Sequence, residues 1–95
     1  MPIVLASKKT PVVEIDTKNR SAYVRFGNRR VSRTDPLPQR KGRGIATIDF
    51  DAENLVIGIK FIGVNEFTIE KLLKGISLGI PESRLKRARY VALKS

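Results

Sequence analysis

The feature that most constrains this chain is an internal echo, in which Val13 to Phe26 can be laid over Ile48 to Phe61 at an offset of 35 residues. Asp16 falls on Asp51, Asn19 on Asn54 and Phe26 on Phe61, while Val13, Glu14, Ile15, Val24 and Arg25 meet the similar residues Ile48, Asp49, Phe50, Ile59 and Lys60. Each copy reads as strand, four-residue turn, strand. The Asp side chain accepts from backbone N–H groups of its own turn, and Asn tolerates the left-handed conformation that closes it. The turns are therefore expected at Asp16 to Asn19 and Asp51 to Asn54. Period-two alternation puts Val13, Ile15, Ala22, Val24 and Phe26 on one face, with Ile48, Phe50, Leu55, Ile57, Ile59 and Phe61 on the equivalent face.

Between the two copies, Gly27-Asn28 signals a turn into a short strand, Arg30 to Thr34, whose one apolar residue, Val31, suits a sheet edge. Asp35 to Gly44 reads as loop, because Pro36 and Pro38 withhold ladder donors. Beyond Phe61 the period lengthens: Ile69, Leu72, Leu73 and Ile76 make the stripe of an amphipathic helix, with Gly75 as candidate terminator. The tail from Ile80 admits either a short helix, with Pro81 at its first position, or a strand over Tyr90 to Leu93; a short helix followed by a strand-like end is the favoured reading. The expected fold class is α+β: a small antiparallel β-sheet of four or five strands, built from two similar β-hairpins and a short middle strand, covered by one helix. Residues 1–95 form a single domain in this reading, with its core over about 12–76 and a basic C-terminal extension over 77–95.

Charge is the second constraint. Nineteen Lys and Arg against nine Asp and Glu give a net charge of +10. From Thr17 to Arg43 there are nine basic residues against one acidic residue, Asp35. Such a balance attracts polyanions. There is no Cys, which excludes disulfides and thiolate metal sites, and no His. The apolar run Ile3 to Ala6 is too short for a secretory leader, and nothing approaches the ~20 apolar residues of a membrane span. A cytoplasmic protein that enters no membrane is expected.

Taken together, Asp16, Ala22-Tyr23-Val24-Arg25-Phe26, Val31-Ser32-Arg33-Thr34, Ile48-Asp49-Phe50-Asp51 and Val56-Ile57-Gly58-Ile59-Lys60-Phe61 resemble the uncharacterised prokaryotic family called domain of unknown function 2283. The resemblance spans about Val12 to Leu73. It implies a compact β-sheet domain with a following helix, and it brings no activity, cofactor or catalytic residue. This chain departs from the family pattern in its Arg-rich loop and at Lys60, where relatives often carry a carboxylate.

Three functional classes follow from the residues. The leading one is a non-enzymatic binding module for nucleic acid or another anionic partner, met by Arg25, Arg29, Arg30, Arg33, Arg40, Lys41 and Arg43, with Arg84, Arg87 and Arg89 added from the tail. Tyr23 would offer a stacking surface beside Arg25. The alternative is a homo-oligomeric or protein-interaction module of accessory or antitoxin-like type, pairing through an exposed edge or through the tail, where Leu85, Ala88 and Val91 supply apolar anchors. An enzyme is disfavoured, since only carboxylates, hydroxyls and lysines are on hand. Asp49 and Asp51 alternate to one face, yet Asp51 is accounted for by its turn, so no metal and no cofactor are expected.

Overall fold

The structure, a computed structural model, describes residues 10–37, 44–73 and 82–93, the side chains of Glu82 and Arg84 excepted. The chain forms five strands, β1 (Val12–Asp16), β2 (Ser21–Arg25), β3 (Arg33–Pro36), β4 (Ile45–Phe50) and β5 (Val56–Ile62), of which β1, β4 and β5 are built largely on β-branched and aromatic residues. Two short helices follow, α1 (Ile69–Leu72) and α2 (Glu82–Lys86), and then a last strand, β6 (Arg89–Ala92). All six strands share one sheet in the order β3-β4-β5-β2-β1-β6.

The sheet is mixed, which corrects the expected antiparallel sheet of four or five strands. β6 runs parallel to β1, while the other neighbours are antiparallel. The physical reason lies at the outer edge of β1, whose carbonyls need donors. Arg89 N–H donates to the Pro11 carbonyl at 3.1 Å and Leu93 N–H to that of Ile15 at 2.7 Å.

The sequence echo becomes a relationship in space. β2 and β5, the second strands of the two copies, meet at the centre of the sheet, and Val24 pairs with Ile59, its own counterpart at the 35-residue offset. The flanking pairs exchange under the same operation: Tyr23 with Lys60 maps onto Arg25 with Gly58. An approximate two-fold axis therefore passes between Val24 and Ile59.

The symmetry breaks at a bulge. Asp49 faces Gly58 but Phe50 faces Val56, so Ile57 is the extra residue. Its carbonyl accepts from both Phe26 N–H, at 2.6 Å, and Gly27 N–H, at 3.1 Å. The slip exchanges the face that adjoining residues present. Val56 enters the contiguous core, whereas Ile57, equally buried, stands outside it. The expectation that Ile57 shares the face of Ile59 and Phe61 is corrected accordingly.

The two turns also differ. Asp16 receives the backbone N–H of Asn19 at 3.2 Å and its side-chain amide at 2.8 Å. With Asn19 engaged in this way, the left-handed position moves to Arg20, at φ 52°. In the second turn Asn54 does take it, at φ 66°, and Asp51 accepts from the backbone N–H groups of Glu53 and Leu55 at 2.8 and 3.0 Å. These bonds hold both carboxyls below the ordinary carboxylate range, through the Asn19 amide at Asp16 and the Leu55 N–H at Asp51.

The strand after the first hairpin lies later than expected, at Arg33 to Pro36 rather than Arg30 to Thr34, and takes in two residues assigned to the loop. Leu37 N–H donates to the Ala46 carbonyl, so by alternation the nitrogen of Pro36 points away from β4. A missing donor on that outer edge breaks no ladder bond. The stretch 38–43 lies outside the described residues.

The core gathers Val13, Val24, Phe26, Ile48, Val56, Ile59 and Phe61 under Val64, Ile69, Leu72 and Leu73. α1 covers this face with Ile69 and Leu72, and Leu85 and Ala88 pack against it from the chain around α2. Gly75 and Ile76, the expected end of the first helix, lie outside the described residues.

Candidate binding surface

The opposite face of the sheet carries the alternate residues. One row runs Thr34, Asp49, Gly58, Arg25, Val12, Arg89, and the next Pro36, Thr47, Lys60, Tyr23, Glu14, Val91. A polar strip crosses these rows. Arg25 reaches Glu14 with Nη2 to Oε1 at 2.9 Å, and its guanidinium lies over the Tyr23 ring, 4.9 Å from the centroid. The Tyr23 hydroxyl donates to Asp49 Oδ2 at 2.7 Å, and the Thr34 hydroxyl donates to the other oxygen of that carboxylate.

Tyr23 reaches Asp49 across an intervening strand because Gly58 has no side chain. A Cβ there would stand 2.3 Å from Tyr23 Cε1. Burial, and then the bond to Asp49, push the Tyr23 phenol well above its ordinary range, while the hydrogen bond to Glu14 raises Arg25. At one end of this face Ile45 and Ile62 pair directly and remain 60 % and 43 % exposed.

The residues expected to bind anions are divided among several places. Arg25 and Tyr23 share the strip just described, and Arg89 stands on the same face, across Val12 from Arg25. Arg33 belongs to the other face, where its guanidinium covers the Phe50 ring at 4.3 Å and bonds Asp35 and Asn54. Arg29 sits at the second turn, 3.4 Å from Asp51 and 3.3 Å from Glu53. Arg30 and Arg87 are exposed. Arg40, Lys41 and Arg43, with the side chain of Arg84, lie outside the described residues.

Asp49 and Asp51 do not face one site: Asp49 is bound by Tyr23 and Thr34, while Asp51, 4 % exposed, serves its turn and Arg29. Among the described residues no group of three or more His, Cys, Asp or Glu is placed to hold a metal ion. Nor is any helix among them long and apolar enough to cross a membrane.

Sequence reasoning left out Glu14, Gly58 and Lys60 from this surface. A signal for Gly58 was available, since glycine inside a strand marks close approach by another group. Glu14 carried none, because its partner Arg25 is eleven residues away and meets it only once β1 and β2 pair.

Fold and surface together define a small α+β-like domain: a mixed six-stranded sheet with helices on one face and a charged, partly apolar opposite face. Set against known protein families, curated proteins and solved structures, the chain finds no match.

Proposed function

We propose that this protein is a non-enzymatic cytoplasmic binding module whose partner is anionic, with nucleic acid the first candidate. One observation supports the reading above others: six of the eight acidic residues whose side chains are described are held internally, Glu66 and Glu70 being the exceptions, while many basic ones are not. Glu14, Asp16, Asp35, Asp49, Asp51 and Glu53 are each held by an intramolecular hydrogen bond or ion pair. Arg30, Lys60, Arg87 and Arg89 are exposed and have no side-chain partner among the described residues. Repulsion among such uncommitted cations is relieved when a polyanion arrives.

The absence of His and Cys from the sequence supports the non-enzymatic half of the reading. The resemblance to the uncharacterised family supplies a scaffold and adds no activity. On Tyr23, a stacked base would compete with the Arg25 guanidinium, so phosphate contacts rather than stacking carry the proposed nucleic-acid mode.

Titration of a fluorescent single-stranded oligonucleotide and a duplex at two ionic strengths tests the reading. Affinity that falls steeply with salt, with a log–log slope of about 0.9 per phosphate contacted on duplex DNA, is the expected result. Absence of binding to both, and to heparin, at low salt overturns it.

A further inference from the structure

The two edges of the sheet are unlike. At the β3 edge, Pro36 presents no N–H and Arg33 and Asp35 flank it with charge, the usual means of keeping another strand away. At the β6 edge all four residues are exposed, and none is proline. Arg89 and Leu93 direct their N–H groups to β1, so the strand alternation turns the N–H and C=O of Tyr90 and Ala92 outward. No described strand pairs with that side.

Charge selects what fits there. From Ser83 to Ser95 the sequence holds five basic residues and no acidic one. Arg89 and Val91 stand on the open face at this edge, and the carboxylate on the neighbouring strand, Glu14 opposite Val91, is already held by Arg25. A second copy of β6 would set one basic segment against another, whereas a strand with carboxylates alternating with apolar residues would bring its acids to the face of Arg89 and its apolar side chains to the opposite face, beside Tyr90 and Ala92.

We propose that β6 is a docking edge for an extended acidic segment of a partner protein, which adds to the sheet as a seventh strand. This rests on the reading that the domain binds anionic partners, and it adds a protein partner of that kind, with its place on the sheet, to the nucleic acid considered above.

The probe is the peptide acetyl-(Glu-Val)4-amide, with acetyl-(Lys-Val)4-amide as the charge control, followed by amide chemical shifts of the full chain. The acidic peptide shifts and protects the amides of Tyr90 and Ala92, and the basic one does not. Ala92→Pro removes an outward N–H while leaving the ladder to β1 intact, and it weakens the acidic peptide at least tenfold with an unchanged melting temperature. Arg89→Glu, which keeps every backbone group, reverses the preference between the two peptides and serves if Ala92→Pro fails to fold. Equal binding by Ala92→Pro overturns the proposal, as does a failure of the acidic peptide to bind. It also falls if the Tyr90 and Ala92 amides respond to protein concentration, which assigns the edge to a second copy, or to oligonucleotide instead of peptide. Retained salt-sensitive oligonucleotide binding in any of these cases leaves the broader anionic reading standing, so the two failures are distinguishable.

Discussion

The ring of Tyr23 lies on Gly58, and a methyl group on that glycine would approach Tyr23 Cε1 to 2.3 Å. The contact lets β2 reach over β5 to Asp49 on β4, so three strands are tied by one phenol. Gly58→Ala must displace the ring or the strand, at a cost of about 1–3 kcal/mol. Combined with Tyr23→Ala the loss should be smaller than the sum of the two single losses, because the clash has then been removed. Urea unfolding of the four proteins in the cycle measures it.

Tyr23→Phe isolates the hydroxyl. Losing its bond to Asp49 should cost about 0.5–1.5 kcal/mol at neutral pH. Because the folded-state phenol titrates above its ordinary value of about 10, its contribution is complete below that pH and fades as pH rises through the folded value. The stability gap between wild type and Tyr23→Phe should therefore close in alkali, as followed by thermal melts from neutral pH to above 10.

Asp51 gives the opposite dependence. Its carboxyl is held low, by the Leu55 N–H first and with help from Glu53 and Arg29, so its charge stabilises the fold above about pH 3.9 and that contribution is lost as pH falls further. Asp51→Ala should lower the melting temperature by several degrees at neutral pH. Asp51→Asn, which keeps the shape, should approach wild type as the solution is acidified.

Ile59, fully buried on the approximate two-fold axis, offers a test of the core. Ile59→Ala should cost about 2–5 kcal/mol, a large share of the stability of so small a domain. A lowered urea midpoint with an unchanged slope is the expected signature.

Much of this arrangement is legible in the residues, and the reason is periodicity. Alternation marks Val13, Ala22, Val24, Phe26, Ile48, Ile59 and Phe61 as inward, and all are buried. The echo marks two like hairpins, but that their second strands meet at Val24 and Ile59 is seen only in the sheet. What escapes is decided by single residues or by partners far apart in the chain. The slip at Ile57 follows from how β4 meets β5, and no local pattern announces it. Pro36 argues against a strand until one knows that its nitrogen faces outward. A strand-like end after a short helix is legible in the tail, but the parallel pairing of β6 with β1 is not, because it is set by the carbonyls of Pro11 and Ile15 at the other end of the described chain. On the candidate surface the arginines are visible by composition, but their division between two faces is not, because Arg25 and Arg33 belong to different strands whose order in the sheet the sequence does not state.

The parallel union of β1 with β6 has a kinetic consequence. It closes almost the whole described chain into one loop, an entropic cost offset by a four-residue strand, the packing of Leu85 and Ala88, and the bond from Ile69 N–H to the Tyr90 hydroxyl. That strand should be the last to form and the first to fray, so its inward amides at Arg89, Val91 and Leu93 should exchange with solvent deuterium well before those of Val24 and Ile59.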